Sequence, residues 1–306
     1  MILLSGAGGV VGRSLRERLV AAGHDVLALT HCNVFTSSAG EIGLDLEDAA
    51  QCGKLIEYAG NCSALIHLAG RINIELTSTS NMEQPPRASA RRFADIYQSN
   101  VVMTARMLEV ATEAAIPHVI FASSQTVYGL PATTTVVEES PLSPLEYYAA
   151  SKVACETALA LWARGQGRKA TVLRFPGIWG ESRQTGIVYG LCRQAIEKRR
   201  VTVGCEYPLP LDVLHHDDVT QAFEAALTRV EGGWRAYNIA TGEVCSLARL
   251  ANEVAALVPN CVVETFGVVQ PDLALDASRA AKELGWRAES RSYRLARFIE
   301  HVRSEA

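Results

Sequence analysis

Tyr148 and Lys152, in the run Tyr-Ala-Ala-Ser-Lys, are the residues whose types and spacing speak most directly of chemistry. Four residues are about one helical turn, so the two side chains share a face. A phenol titrates near pKa ~10, and a neighbouring ammonium favours the phenolate, moving the group towards use as an acid and base at neutral pH. Tyr147, five residues from the lysine, fits that face less well. The same spacing also suits a surface pair on an amphipathic helix. Upstream, the apolar run from His118 ends in Ser123 and Ser124. A serine at a strand end can hydrogen-bond a substrate carbonyl or alkoxide and turn it towards the tyrosine. Paired serines can equally satisfy loop backbone.

A glycine loop opens the chain. Met1-Ile-Leu-Leu reads as a buried parallel strand, Gly6, Gly9 and Gly12 follow, and a helical pattern begins at Val11. Glycines let the backbone turn tightly and approach a pyrophosphate, which the amides and dipole of the helix N-terminus then favour. Gly12 lets the helix pack against the strand. A glycine-rich turn without a ligand has the same pattern. Taken together, a pyrophosphate loop and a proton-transfer pair imply hydride exchange between a nicotinamide and an alcohol or ketone carbon. The next strand, Asp25 to His31, ends in Thr30 and His31, where NAD-specific proteins usually carry an acidic residue for the ribose hydroxyls. Neither side chain is a carboxylate that would repel a 2′-phosphate, so the expectation leans to NADP over NAD.

These elements resemble the extended short-chain dehydrogenase/reductase family, the NAD-dependent epimerase/dehydratase family, over nearly the whole chain. The shared motifs are the Gly6/Gly9/Gly12 loop, Asp45-Leu46, His67-Leu-Ala-Gly70, Asn100, Ser-Ser-x-x-Val-Tyr-Gly ending at Gly129, and Tyr148-x-x-Ser-Lys152. Arg174-Phe-Pro-Gly-Ile-Trp-Gly180, His215-His-Asp-Asp218, Tyr237-Asn-Ile-Ala-Thr-Gly242 and Leu284-Gly-Trp286 follow in order. The resemblance implies that Ser124 is the catalytic serine, Tyr148 the acid/base, and Lys152 the residue that tunes it and grips the nicotinamide ribose, with Asn100 supporting the site. It also implies cofactor contacts at Gly6, Gly9, Val10, Val11, Gly12, Thr30, His31, Asp45 and Leu46. Further contacts are implied at Leu68, Ala69, Gly70, Ser123, Pro176 and Ile178.

The branch of the family is narrowed by what is missing. Dehydratases carry Thr-Asp-Glu where this chain has Ser124-Gln125-Thr126, and an amide and a hydroxyl cannot supply the carboxyl chemistry of water elimination. Epimerases and reductases need no such pair. Nucleotide-sugar enzymes often carry an asparagine at the position of Gly177 and a diphosphate-clamping arginine at that of Leu211. A second clamping arginine often lies shortly before Asp276-Ala-Ser278, whereas no arginine lies between Arg249 and Arg279. A diphosphate needs guanidinium or backbone partners. Arg71, Ser124, Gln125, Gly177 and Arg183 are the candidate substrate residues. Arg193, Lys198, Arg199 and Arg200 could add to a different anion site, although 198–200 equally suits the solvated end of a helix.

Composition bounds the rest. The chain has 306 residues, 48% of them hydrophobic, and a formal net charge of −4 with both signs scattered. This suits a globular protein and argues against a nucleic-acid partner. No apolar run approaches the ~20 residues of a membrane span, and the N-terminus runs straight into the glycine loop, so no signal peptide is expected. Cys32, Cys52, Cys62, Cys155, Cys192, Cys205, Cys245 and Cys261 are dispersed, without metal spacing, and fit a reducing cytoplasm. His215-His216 beside Asp217-Asp218 could suggest a metal, but the stretch matches a structural motif of the family, and none is expected.

Strand-like runs (64–68, 119–122, 171–173) alternating with helical patterns predict βαβ units. The expected fold is α/β, a Rossmann-type doubly wound parallel sheet with a smaller C-terminal substrate-binding part. Residues 1–176 form the NAD(P)-binding domain, 211–242 return to it, and 177–306 mainly cover substrate. Residues 77–86 and 129–144 read as loops, the first mobile and near the cofactor. Helices are expected over 93–115 and 146–163, and the resemblance implies that they pair across a two-fold axis in a homodimer; both faces could instead be core. The expected activity is NAD(P)-dependent hydride transfer on a sugar derivative, as a nucleotide-sugar 4-epimerase or 4-keto reductase. An NADPH-dependent reductase of a non-nucleotide compound and a non-catalytic NAD(P)-binding sensor are the alternatives.

Overall fold

A computed structural model describes residues 1–72, 95–205, 211–229, 231–267 and 271–305. The loop expected at 77–86 and the first two residues of the helix expected over 93–115 lie outside them.

The strands are β1 (Ile2–Ser5), β2 (Val26–His31), β3 (Thr36–Ser38), β4 (Glu41–Leu44), β5 (Ala64–His67), β6 (His118–Ser124), β7 (Thr135–Val136), β8 (Lys169–Phe175), β9 (Gly177–Trp179), β10 (Arg200–Cys205), β11 (Val213–His215), β12 (Gly233–Asn238), β13 (Val262–Gly267) and β14 (Ala274–Leu275). The helices are α1 (Val10–Ala21), α2 (Ala49–Ala59), α3 (Met103–Glu113, entered through a π turn at Gln98–Val102), α4 (Tyr147–Trp162), α5 (Ile187–Lys198), α6 (His216–Leu227), α7 (Leu247–Ala256), α8 (Ser278–Glu283) and α9 (Arg291–Ser304).

Eight strands form the main sheet in the order β12-β8-β6-β5-β1-β2-β4-β3, parallel except for β3 against β4. The central strands are apolar throughout because both faces are covered. On one side α2, α3 and α4 bury Leu55, Met107 and Leu159 with Leu65 and Phe121. On the other, α1 and α6 bury Leu15, Leu19 and Phe223 with Leu4 and Ile120. A smaller core joins α5, α7 and α9 to β10 and β13 through Leu191, Leu250 and Phe298.

The segment expected to return to the main sheet divides in two. Strand β11 pairs with β9 outside it, whereas α6 packs on it and β12 joins its edge beside β8. Residues beyond 242 also come back: Ala280, Leu284 and Trp286 join the α6 face, and the Trp286 indole donates to the Asp218 carbonyl at 3.1 Å. Segments beyond residue 242 therefore contribute both to the core on the α6 face of the main sheet and to the smaller core.

Strand order reverses between β1 and β5, the switch point at which open α/β sheets bind ligands at the carboxyl ends of their strands. The glycine loop leaves β1 there, Leu68-Ala69-Gly70 leaves β5, and Ser124 ends β6.

Candidate active site

A cavity of about 330 Å³ opens at the switch point, lined by Gly6, Gly9, Thr30, His31, Asp45, Leu46, Leu68, Ala69, Gly70 and Arg71. These ten residues are all among those expected at the site. Leu29, Leu44, Glu47 and Met103 complete the lining and were not anticipated. Glu47 stands next to the expected Asp45-Leu46 pair, which is the signal that could have found it. It accepts from the Ser99 hydroxyl at 2.7 Å and pairs with Arg71 at 3.4 Å.

The glycines are required sterically. Gly6 has φ +74°, and a Cβ on it would lie 2.8 Å from the Ala69 nitrogen. A Cβ on Gly12 would lie 2.1 Å from the Gly6 carbonyl oxygen. One on Gly70 would lie 3.2 Å from Asn100 Oδ1 and 3.5 Å from Lys152 Nζ. Cβ atoms at Gly6 and Gly12 would strike neighbouring backbone, so glycine there lets the loop, the first turn of α1 and the β5 end pack together as a close-packed cradle at the switch point. Val10 and Val11 begin α1; Val11 packs against the core, so a cofactor contact there falls to backbone. A polar column beneath the cradle fixes it: Ser5 Oγ lies 2.6 Å from His67 Nδ1, and His67 Nε2 lies 3.1 Å from Thr104 Oγ1. Burial lowers the His67 pKa to about 3, so the imidazole is neutral there.

Asn100 sits in the π turn, where the widened backbone turns its amide inward. Its Oδ1 accepts from the Arg71 amide at 2.7 Å, and its Nδ2 donates to the Arg71 carbonyl at 3.1 Å and to Ser151 Oγ at 2.9 Å. Ser151 donates to the Tyr148 carbonyl at 2.7 Å. Asn100 therefore ties the strand-end loop to the helix carrying Tyr148 and Lys152. Glu146, absent from the expected residues, caps that helix by accepting from the Tyr148 and Ala149 amides at 2.9 and 2.7 Å.

Ser124, Tyr148 and Lys152 are gathered at the β6 end. Tyr148 is half-buried and hydrogen-bonded to Ser124, whose Oγ also accepts from Thr126 Oγ1 at 3.0 Å. Lys152 donates to the Ala122 carbonyl at 2.8 Å, with Nζ 4.5 Å from the Phe121 ring centroid and 5.6 Å from that of Tyr148. Burial lowers its pKa to about 8. One expectation is corrected here. Tyr148 is pushed above the ordinary phenol value, because burial of the hydroxyl and the Glu146 carboxylate outweigh the Ser124 hydrogen bond. The lysine spends its hydrogen bond on Ala122.

Other expected residues are placed differently. Ser123 donates its hydroxyl to Glu156 at 2.5 Å, within a buried network in which Arg174 bonds Glu156, the Tyr128 hydroxyl and the Glu138 carbonyl. Any contact of Ser123 with a cofactor therefore falls to its backbone. Pro176 and Ile178 follow β8, whose Phe175 pairs in register with Ser124. Gly177 donates its amide to the Asp212 carbonyl at 3.0 Å. Arg183 donates to the Ile178 carbonyl at 3.1 Å, and Arg193 and Arg200 pair with Glu197 and Glu264, so no cationic clamp forms from these groups. Leu211 packs against the small-domain core. Gln125 keeps its side-chain oxygen buried without a partner beside Ser124, a polar atom that composition alone does not reveal.

A model of the NAD dependent epimerase/dehydratase family matches residues 2–240. The UDP-glucose 4-epimerase of Mycolicibacterium smegmatis is 26% identical over 325 aligned positions, covering 99% of each chain. The dTDP-L-rhamnose 4-epimerase of Burkholderia thailandensis is 24% identical, over 94% of this chain and 90% of its own. Among solved structures, MoeE5 in complex with UDP-glucose and NAD superposes with a TM-score of 0.78 at 26% identity, over 99% of each chain.

Proposed function

Because this chain belongs to the NAD dependent epimerase/dehydratase family, we propose that it is an NAD(P)-dependent nucleotide-sugar 4-epimerase or 4-keto reductase. The observation that carries this reading is the convergence of Ser124, Tyr148 and Lys152 at the β6 end, beside the glycine-lined cavity. Gly6, Gly9 and Gly12 would hold the pyrophosphate, and Lys152 with Gly70 the nicotinamide ribose. A bound nicotinamide supplies hydride exchange with the substrate carbon. Tyr148 would take the proton of the secondary hydroxyl, as that carbon becomes a ketone, from its phenolate form, and would return it on reduction. The positive charges of Lys152 and of an oxidised nicotinamide would oppose the burial that keeps the phenol protonated in the cofactor-free protein. Ser124 holds the oxygen in line with the phenol. The unpartnered Gln125 oxygen accepts from a second substrate hydroxyl, and with no carboxyl group at 125 or 126 the elimination branch is disfavoured.

NADP(H) is the proposed preference: Thr30 and His31, neither of them acidic, line the cavity at the β2 end, and Arg16 pairs with Glu41, whose Oε1 lies 3.3 Å from Thr30 Oγ1. A cytoplasmic setting is supported by Cys32, Cys52, Cys62, Cys155, Cys192, Cys245 and Cys261, all free. For the homodimer, Leu161 on the outer face of α4 is 55% exposed. No helix among the described residues is long and apolar enough to cross a membrane.

The test is turnover of UDP-glucose, UDP-galactose and dTDP-hexoses, read by proton NMR of the anomeric region, with wild type and Tyr148→Phe. Wild type should interconvert C4 epimers or reduce the 4-keto sugar. Tyr148→Phe should lose about 10²–10⁴ in rate and keep its cofactor. Consumption of NADPH only with simple ketones would favour the second reading, the non-nucleotide reductase, which Leu211 in the small-domain core supports. A variant as active as wild type would exclude Tyr148 as the acid/base, and no turnover by either would favour the sensor.

A further inference from the structure

Among the described residues, Arg71 is the one lysine or arginine that lines the cavity at the switch point. Two carboxylic side chains, Asp45 and Glu47, share that wall. A dinucleotide brings the negative charge of its pyrophosphate, so the wall is short of positive charge for such a ligand. The amides at the start of α1 offer partial charges only. A guanidinium offers a full charge and a fork of donors that matches phosphate oxygens.

The backbone of Arg71 is fixed from two sides. Asn100 Oδ1 accepts from its amide at 2.7 Å, and Asn100 Nδ2 donates to its carbonyl at 3.1 Å. Ala69, just before Gly70, abuts the glycine loop, since a Cβ on Gly6 would lie 2.8 Å from the Ala69 nitrogen. The base of the Arg71 side chain therefore stands beside that loop. The side chain itself is 61% exposed, and its guanidinium lies 3.4 Å from Glu47 Oε1. The same carboxylate oxygen already accepts from the Ser99 hydroxyl at 2.7 Å. An ion pair this long and this exposed contributes little, so the guanidinium exchanges it for a phosphate oxygen at small cost.

We propose that Arg71 is a clamp for the cofactor pyrophosphate, held by Glu47 in the cofactor-free protein and passed to a phosphate oxygen on binding. Glu47, itself held by Ser99, is the positioning residue: it keeps the guanidinium at the cavity and competes with the phosphates for it. This inference rests on the NAD(P)-binding reading above, and it moves Arg71 from the substrate to the cofactor. The pyrophosphate is common to NAD and NADP, so the clamp favours neither.

The test is calorimetric titration of the full-length protein with NADH, ADP and adenosine at low salt, for wild type, Arg71→Ala, Arg71→Lys, Glu47→Gln and the Arg71→Ala/Glu47→Gln double variant. ADP carries a pyrophosphate and adenosine does not. Arg71→Ala should weaken ADP and NADH about tenfold or more and leave adenosine unchanged. Arg71→Lys keeps the charge without the fork and should recover part of the loss. Glu47→Gln keeps an acceptor for Ser99 and should tighten ADP about two- to fivefold. That gain should vanish in the double variant, which has no guanidinium to release. The Asn100 bonds run to the Arg71 backbone and survive these substitutions. ADP binding unchanged by Arg71→Ala would overturn the proposal. So would a matching loss of adenosine, which puts the guanidinium on the base, or an equal gain from Glu47→Gln in both backgrounds. Wild type that binds none of the three ligands would overturn the cofactor reading itself, and the clamp with it.

Discussion

Lys152 is placed where its charge costs stability and where the site needs it. Burial brings its pKa from the ordinary 10.5 to about 8, a drop worth about 3 kcal/mol. The folded protein releases this proton before the unfolded chain does. Stability of the cofactor-free protein therefore rises between pH 8 and 10.5, and the cost of the buried ammonium is fully present below pH 8. Lys152→Met should raise the melting temperature of the cofactor-free protein at pH 7 and abolish turnover. The advantage should shrink as pH rises to 10.5; melting curves at pH 7 and 10 check this, and an equal gap at both would refute it. Tyr148, pushed above its ordinary value, is a proton donor in the cofactor-free protein. The tyrosine–lysine spacing was legible in the chain. The direction of the phenol shift was not, because it depends on how much water the fold removes and on Glu146, whose capping role is set by the helix start.

At the scale of elements, glycines divide into those the fold requires and those it tolerates. Gly12 lies where a Cβ would meet the Gly6 carbonyl oxygen at 2.1 Å, whereas Gly53, within α2, has nothing within 4 Å of the corresponding position. Gly12→Ala should therefore reduce NAD(P) affinity at least tenfold and destabilise by about 1–3 kcal/mol through overpacking. Gly53→Ala should stabilise by about 0.5–1 kcal/mol through the entropy of the unfolded chain. Cofactor titration with denaturant unfolding checks both, and equal behaviour would remove the steric account of the loop. The spacing of the three glycines after a strand announces this element from sequence. The π turn that aims Asn100 does not show in the same way, because its residues read as ordinary helix.

Across the whole molecule, one buried ion pair links β6, β8, α4 and β12. Arg174, 1% exposed, bonds Glu156 at 3.1 and 2.7 Å and the Tyr128 hydroxyl at 2.8 Å, and Tyr128 donates to Asn238 at 2.6 Å. Removing one partner leaves the other charge buried alone, so Glu156→Ala should cost about 3–5 kcal/mol in denaturant unfolding; a loss below about 1 kcal/mol would show that the network is dispensable. The network also explains why Ser123 turns away from the site while Ser124, one residue on, turns into it. Successive strand residues face opposite sides of the sheet. The chain by itself determined the βαβ order and the glycine loop, because hydrophobic periodicity and turn chemistry are local, whereas Ser124, Tyr148 and Lys152 were singled out together by their resemblance to the family's motifs. Only the tertiary structure decided that Leu211 joins a core, that Gln125 keeps an unpaired oxygen, and that Glu181 meets two histidines from a distant segment. Each of these depends on which strands pair and on what their packing excludes from water, and neither is encoded within one window of sequence.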